Sequence, residues 1–159
     1  MLTVILLYAA SFAFQMLMAF FAALSFAVLF NAPRSELVFC GLAGIISWGV
    51  YLIARDLGGS LTVASFLGAL AVTPFCHMLA KKRKTIVTIF LISGIIPLVP
   101  GAGIYSTMYN IIVGNAVQAA AQGMETLKLA GVIALGIIIV LTIQRAAVLY
   151  SNSSLKRNI

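Results

Sequence analysis

Long apolar runs alternate with short polar stretches along this 159-residue chain. Four runs carry almost no charge and approach or exceed the ~20 residues with which a helix crosses the hydrocarbon core of a bilayer. They cover residues 2–30, 37–54, 61–80 and 129–150. A fifth run, residues 86–122, is interrupted by prolines and glycines. The pattern predicts an all-α fold, a polytopic membrane helix bundle of about five spans with the fourth one broken, in a single transmembrane domain over residues 1–159.

The second span carries small residues and two aromatic ones. Gly41, Gly44 and Ser47 follow one another at helical spacing, and small residues let membrane helices approach closely. We therefore expect this face to pack on another helix. Trp48 and Tyr51 are interpreted as anchors at the membrane interface, where such rings are enriched.

The fourth span breaks at a proline-glycine motif. Pro97 and Pro100 remove backbone donors and disfavour the α conformation in the residues before them, and Gly101 and Gly103 add backbone freedom. Only residues 86–96 lie between the start of the run and the first proline. At ~1.5 Å per residue they reach about half-way through the hydrocarbon core. We predict a break near mid-membrane, where protein or a water-filled cavity satisfies the freed backbone groups.

Polar side chains follow the break and are the candidates for substrate binding. A helix over residues 102–122 would align on one face Gly103, Thr107, Asn110, Gly114, Gln118 and Gln122. Its first turn, near residue 102, would offer free N–H groups to an anion such as a carboxylate. The candidate residues are Pro97, Pro100, Gly101, Gly103, Tyr105, Ser106, Thr107, Tyr109, Asn110 and Gln118. For Asn110 and Gln118, hydrogen bonding to another helix is an equally good interpretation.

Charge supports a membrane topology and not nucleic-acid binding. The chain is 63% hydrophobic and 8% charged, with a formal charge of +7. Lys81, Lys82, Arg83 and Lys84 stand together between two apolar runs, as the positive-inside rule predicts for a cytoplasmic loop. If residues 86–122 cross once, the chain has five spans, an outside N-terminus and a cytoplasmic basic tail. If that segment crosses twice, or dips in and returns, the tail lies outside.

Side chains suited to catalysis are scarce. The chain has three acidic residues and one histidine, all at apparent membrane edges, so no catalytic dyad, metal site or cofactor site is predicted and an intramembrane enzyme is disfavoured. Glu36 is expected to be solvated in the turn before the second span. Glu125 and Lys128 are expected to pair at the surface of a turn before the last span. His77 is interpreted as an interfacial histidine rather than a proton-coupling group.

The cysteines give no sign of a redox or metal framework. Cys40 and Cys76 lie in or beside apolar segments without CxxC-like spacing, so both are expected to be buried small residues.

Three segments resemble the threonine/serine exporter family of ThrE type. They are FAVLFNAPRSEL at 26–37, WGVYLIA at 48–54 and IIPLVPGAGIY at 95–105. In particular the chain is similar to the small membrane subunit of the two-component form. The resemblance implies a multi-pass protein of the plasma or inner membrane that exports a small-molecule carboxylate, either threonine and serine or a dicarboxylate such as succinate, together with a larger ThrE-like membrane subunit.

Several alternatives stay open at this point. The chain could be a structural or assembly subunit without substrate contact, and a polar stripe does not separate a carrier from a channel. Homo-oligomer formation within the lipid bilayer is also left open, as are the coupling ion and the choice of substrate.

Overall fold

The computed structural model describes residues 2–156 of the chain and the side chains of residues 10–146, so the ends of the predicted domain, Met1 and residues 157–159, lie outside the described residues. The described part forms six α-helices and two 3₁₀ turns and contains no β-strand. The helices are α1 (Leu2–Leu29), α2 (Leu37–Asp56), α3 (Leu61–Arg83), α4 (Val87–Ile95), α5 (Gly101–Ile112) and α6 (Ala116–Lys156), and the 3₁₀ turns are Arg34–Glu36 and Ile96–Leu98. The predicted all-α class is confirmed.

Four helical segments are long and apolar enough to cross a membrane. They are Ala10–Leu29, Arg34–Asp56, Leu61–Arg83 and Ala116–Ala146. The pair α4 and α5 passes the same test when taken together, with a bend of 60° at the break. Counted as one span, this pair gives the predicted bundle of about five spans with a broken fourth.

Small residues bring α1, α2 and α3 into close contact. A Cβ atom on Gly44 would lie 2.5 Å from the Cβ of Ala23 and 2.8 Å from the backbone oxygen of Ala19, both in α1. On the other side, a Cβ on Gly68 of α3 would lie 2.8 Å from the backbone oxygen of Ser47 in α2. The expected helix packing of the second span is therefore present, and α2 lies between two neighbours.

The short helix α4 is held in the centre of the bundle, against α2 and α3. Phe90 is fully buried there, and a Cβ on Gly94 would lie 2.8 Å from the Cβ of Ala43. The hydroxyl of buried Ser47 donates to the backbone oxygen of Gly94 at 2.5 Å. A carbonyl in the last turn of a helix needs an outside partner, and Ser47 supplies it at the middle of α2.

An ion pair closes the end of the bundle at which α2 begins and α3 ends, here called the basic end because Lys81, Lys82 and Lys84 lie there. The guanidinium of Arg83 donates to both carboxylate oxygens of Glu36, at 2.9 Å and 3.1 Å. The prediction of a solvated Glu36 is wrong, because this residue is only 5% exposed. The sequence around Glu36 does not reveal this ion pair, because Arg83 lies 47 residues later in the chain.

The chain after the break differs from the predicted long helix. Helix α5 ends at Ile112, and α6 begins at Ala116. Between them Gly114 has a φ of +81°, which favours glycine, and the side chain of Asn115 accepts from the backbone N–H of Gln118 at 3.3 Å. This is a helix stop followed by an N-cap. The predicted continuous polar face over 102–122 is therefore wrong, and so is the predicted turn before the last span, because residues 123–128 are helical.

Helices α5 and α6 form an antiparallel hairpin built on two glycine-threonine contacts. A Cβ on Gly103 would collide with the hydroxyl oxygen of Thr126, and a Cβ on Gly123 would lie 3.3 Å from the Cγ2 of Thr107. None of the residues of α5 is buried. The hairpin places the start of α5 beside the part of α6 that contains Thr126.

Candidate functional site

The break consists of one 3₁₀ turn followed by a tighter turn around Pro100. Pro100 has φ −56° and ψ 55°, close to an inverse γ-turn, and the N–H of Gly101 donates to the backbone oxygen of Val99 at 2.5 Å. Leu98, 5% exposed, fixes the break by packing with Ala69 of α3 and Ile133 of α6. The turn is thus rigidly placed among α2, α3 and α6.

A cavity of about 340 Å³ lies against this break and is called the break cavity. Four parts of the chain form its walls: α2, the beginning of α3, the break with the first turn of α5, and α6. The lining residues are Trp48, Tyr51, Leu61, Ser65, Pro97, Leu98, Val99, Pro100, Gly101, Ala102, Gly103, Gln122, Glu125, Thr126 and Leu129. Since Leu61 begins α3 and the basic end lies at its other terminus, the break cavity occupies the half of the bundle away from the basic end.

A second cavity of about 220 Å³ lies on the α1 side of Pro97 and Trp48. Apart from Gln15 and the Trp48 indole, its lining side chains are apolar: Met18, Ala19, Ala22 and Pro97. A binding site needs a few polar groups that converge on the ligand. The break cavity has them and is therefore the better candidate.

Backbone donors at the start of α5 lie in the wall of the break cavity. The N–H groups of Ala102 and Gly103 have no hydrogen-bond partner among the described residues, and no side chain caps this helix. Free N–H groups at a helix N-terminus, together with the helix dipole, favour an anion. A Cβ on Gly101 would meet no atom within 4 Å, so this residue leaves the space in front of the helix open.

Two aromatic rings form another wall. Trp48 and Tyr51 are stacked, with centroids 4.7 Å apart and an interplanar angle of 22°. They lie three residues apart on α2 and pack on the cluster that holds Leu98. The interpretation of these two rings as interfacial anchors did not include their contact with the break. Their spacing in the sequence places them next to each other on one helix, but it does not indicate that they pack near Leu98, fifty residues later.

Helix α6 presents polar groups from one face. Gln122, Glu125, Thr126 and Leu129 line the cavity at the spacing of adjacent turns. The predicted pairing of Glu125 with Lys128 is absent, since the described residues contain only one salt bridge, Arg83 with Glu36. Glu125 is the one charged residue among the described residues that line the cavity.

Ser65 of α3 adds a hydroxyl that no protein group uses. It is 4% exposed, lines the break cavity and has no hydrogen-bond partner among the residues the structure describes. Other helical hydroxyls, such as those of Thr73 and Ser93, donate to the backbone oxygen four residues earlier. The Ser65 hydroxyl is therefore a polar group of the cavity wall that no described residue hydrogen-bonds.

The structure brings together four of the ten predicted substrate-binding residues. Pro97, Pro100, Gly101 and Gly103 line the break cavity. The remaining six, which lie along the hairpin outside it, are Tyr105, Ser106, Thr107, Tyr109, Asn110 and Gln118.

Those six residues have other surroundings. Thr107 and Asn110 donate to backbone oxygens of their own helix, Gly103 and Ser106, at 2.7 Å each. Tyr105 and Tyr109 are 71% and 55% exposed on the outer face of α5. Their contact with substrate stays a prediction.

The histidine and cysteine side chains that the structure describes lie away from the break cavity. His77 is twelve residues after Ser65 on α3, or ~18 Å along the helix. Cys40 and Cys76 are free and buried, as predicted. Among the described residues, no three His, Cys, Asp or Glu side chains are placed to hold a metal ion.

The geometry suits the binding of a small polar solute. N–H donors lie at the start of α5, a carboxylate and an amide lie on α6, and two stacked aromatic rings form another wall. Few precisely placed polar groups within an otherwise apolar cavity of this size are typical of small-molecule sites.

Comparison with known families agrees with the resemblance seen in the sequence. The sequence model of the family described as Threonine/Serine exporter, ThrE, matches residues 15–143, a range that contains the break and every residue of the cavity. No solved structure matches the chain. The match extends over more than half of the sequence, and the chain therefore belongs to the threonine/serine exporter (ThrE) family.

Proposed function

We propose that this protein is a membrane subunit of a small-metabolite exporter and that the break cavity binds the substrate. The family is one of exporters and not of enzymes. The observation that carries the proposal is the coincidence of the free N–H groups of Ala102 and Gly103 with a cavity of about 340 Å³ at the break. Discontinuous helices whose N-termini point at an anionic substrate group are a recurring device of transporters.

The proposed orientation follows from charge. With Lys81, Lys82 and Lys84 at the basic end, the positive-inside rule places that end in the cytoplasm and the break cavity in the outer half of the plasma or inner membrane. An exporter must expose its substrate site to the outside at one stage of its cycle. The position of the cavity therefore supports the view that the structure represents the outward-facing conformation, from which substrate is released.

Filling the cavity tests the proposal. Replacing Gly101 with leucine adds a side chain where no protein atom lies within 4 Å, so the fold is expected to be unaffected while the substrate space is blocked. We expect export to fall at least about tenfold, the effect of losing roughly 1.4 kcal/mol of binding. The measurement is efflux of labelled L-threonine or L-serine from cells that express this protein together with the larger ThrE-like subunit. The efflux is normalised to the amount of protein in the membrane.

Gly131 provides the matched control. It is also a helical glycine whose Cβ would meet nothing within 4 Å, but it lies on α6 outside the cavity. Gly131→Leu is expected to leave efflux unchanged. Equal efflux in Gly101→Leu and the wild type would instead favour the alternative, an assembly subunit that makes no substrate contact.

The outer face of α5 is the proposed contact with a larger ThrE-like membrane subunit. Tyr105, Met108, Tyr109 and Ile112 are between 55% and 83% exposed, and α5 packs on no helix other than α6 to any extent. Tyr105 and Tyr109 stack on each other at 6.3 Å, which presents a rigid aromatic surface. Aromatic residues are enriched in the buried cores of protein interfaces.

Site-specific crosslinking tests this contact. A photo-crosslinking amino acid at Tyr109 is expected to give an adduct with the larger subunit in membranes that contain both proteins. The same group at Phe14 of α1, which is 61% exposed, serves as the comparison. Adducts of equal yield at both positions, or adducts only between copies of this chain, would contradict the assignment of the α5 face.

A further inference from the structure

A third cavity, of about 310 Å³, lies at the basic end of the bundle and is called the basic-end groove. It runs between the turn that follows α1 and the first two turns of α4. Its lining residues are Phe30, Ala32, Ile86, Thr88, Ile89 and Ile92, among which threonine is the one polar residue. Phe30 and Ile86 are 54% and 69% exposed, so the groove opens on the surface of the bundle.

The groove follows the direction of a membrane span. Its lining extends from Ile86 to Ile92, or ~9 Å along the helix. Helix α4 is the first half of the broken span, so the groove leads from the basic end toward the hydrocarbon core of the membrane. An apolar surface with this direction and depth fits an acyl chain of a lipid, which lies along the same direction.

Two cations flank the groove where it meets the basic end. Arg34 lies two residues after the lining residue Ala32, and Lys84 lies two residues before the lining residue Ile86. Two residues of chain separate Cα atoms by at most about 8 Å, so one cation belongs to each side of the groove. Both residues are exposed, and neither forms an ion pair with any residue that the structure describes.

Acidic side chains do not balance these two cations. The chain has three acidic residues. Glu36 is paired with Arg83 at 2.9 Å, whereas Asp56 ends α2 and Glu125 lines the break cavity, both away from the basic end. Within the described part of the chain, the entrance of the groove therefore has uncompensated positive charge, which favours an anionic ligand.

We infer that the basic-end groove binds an anionic phospholipid, with an acyl chain on its apolar lining and the phosphate group between Arg34 and Lys84. Basic pockets between membrane helices on the cytoplasmic side are suited to anionic lipid head groups. A soluble phosphate would leave the apolar lining unused, and a neutral lipid would leave the two cations unpaired. The bound lipid joins the end of α1 to the start of α4, the helix that leads into the break. This site is separate from the break cavity and does not depend on which substrate is exported.

Lipid binding to the purified full-length protein in detergent tests the inference. Native mass spectrometry compares dioleoyl-phosphatidylglycerol, which has an anionic head group, with dioleoyl-phosphatidylcholine, which has the same chains and no net charge. Each cation near the membrane surface contributes about fivefold to the binding of an anionic lipid, so two cations should give a preference of roughly twentyfold for phosphatidylglycerol. Equal dissociation constants for the two lipids would overturn the inference.

The head group without chains separates a lipid from a soluble phosphate. Glycerol phosphate, added at the concentration that saturates binding of phosphatidylglycerol, is expected not to displace the lipid, because it cannot use the apolar lining. Displacement as effective as that by unlabelled phosphatidylglycerol would assign the site to soluble phosphates and contradict the inference.

Removing the two cations tests their assignment. The double variant Arg34→Gln with Lys84→Gln is expected to lose affinity for phosphatidylglycerol by roughly twentyfold and to bind phosphatidylcholine as the wild type does. The matched control is Lys81→Gln with Lys82→Gln, which removes the same charge from the same end of the bundle at residues of α3 outside the lining, and its affinity should change little. Equal losses in the two double variants would indicate diffuse attraction to the basic end and would contradict a site in the groove.

Filling the groove gives a test that does not alter charge. Thr88→Phe places an aromatic ring among the lining residues, and binding of phosphatidylglycerol is expected to fall. Thr142→Phe, the same substitution at an exposed threonine of α6 outside the groove, is expected to bind as the wild type does. If both variants bound phosphatidylglycerol equally well, the lipid would not occupy this groove.

A protein segment is the alternative occupant of the groove. A photo-crosslinking amino acid at Ile86 is expected to give an adduct with phospholipid in membranes that contain this protein and the larger ThrE-like subunit. An adduct with that subunit, or with a second copy of this chain, in place of the lipid adduct would assign the groove to a protein contact and overturn the inference.

Discussion

Replacing Gly94 with leucine is expected to destabilise the bundle more than a substitution at any glycine with open space around it. A Cβ at this position would lie 2.8 Å from the Cβ of Ala43 and 3.1 Å from the Cγ2 of Val72. These atoms belong to α2 and α3, the helices that hold α4 between them. Overpacking a well-packed core costs about 1–3 kcal/mol and occasionally more.

A second loss accompanies the steric one. If α4 moves away from α2, the Ser47 hydroxyl loses the Gly94 carbonyl to which it donates at 2.5 Å. A buried carbonyl in the last turn of α4 is then left without that partner, at about 1–3 kcal/mol. Because the break follows α4 directly, its position among α2, α3 and α6 should change as well, and export should be lost.

Thermal unfolding in detergent, followed by the loss of monodisperse protein, measures the effect on stability. The control is Gly131→Leu, the same substitution at a helical glycine without a neighbour within 4 Å, which is expected to unfold within a few degrees of the wild type. If the two variants unfolded at the same temperature, the central position of α4 would be contradicted.

Reversing the charge of Arg83 is the second change with a large expected effect. The wild-type guanidinium makes contacts of 2.9 Å and 3.1 Å with the carboxylate of Glu36 and lies 4.7 Å from the ring centroid of Phe39. In Arg83→Glu the buried Glu36 would face a second carboxylate and lose its hydrogen bonds. The Arg83 side chain is 38% exposed, but that of Glu36 is only 6% exposed. Removing the partner of a buried carboxylate is destabilising because its charge is left uncompensated, so we expect less folded protein.

Lys82 provides the matched control because it is exposed and adjacent. Lys82→Glu changes the charge of the basic end by the same amount as Arg83→Glu. Any effect on membrane orientation through the positive-inside rule should therefore be similar in the two variants. Yield and thermal stability are expected to fall only in Arg83→Glu and to recover in part when Glu36→Arg is added. Equal losses of yield and thermal stability in Arg83→Glu and Lys82→Glu would show that the total charge of the basic end matters and the ion pair does not.

The proline-glycine break illustrates what could be read from the sequence. Pro97 and Pro100 each remove a backbone donor and disfavour the α conformation in the residue before them, and the eleven residues before Pro97 predict the depth of the break by their length alone. The structure has the break beside the middle of α2, where Ser47 holds Gly94. The end of α5 could also have been predicted, because glycine at 114 favours a helix C-terminus and asparagine at 115 favours the N-cap of a new helix. The helical spacing of polar residues on both sides of them instead indicated one continuous helix.

The other walls of the break cavity could not be predicted from the sequence in the same way. Ser65, Gln122 and Glu125 lie on two other helices, and nothing in their local sequence connects them with Pro97. Their meeting depends on the hairpin that folds α6 back along α5, through the contacts of Gly103 with Thr126 and of Gly123 with Thr107. The same holds for Arg83 and Glu36, which pair across 47 residues.

By itself, then, the sequence determined the membrane class, the all-α bundle and the break, because hydrophobic length and the missing proline donor act within a few residues of the chain. Only the tertiary structure decided which polar groups share the break cavity. Six of the ten residues chosen for their nearness in sequence lie outside it, whereas Glu125 and Ser65 line it. The physical reason is that a cavity is formed by packing between helices, and the partners in that packing are set by contacts distant in sequence.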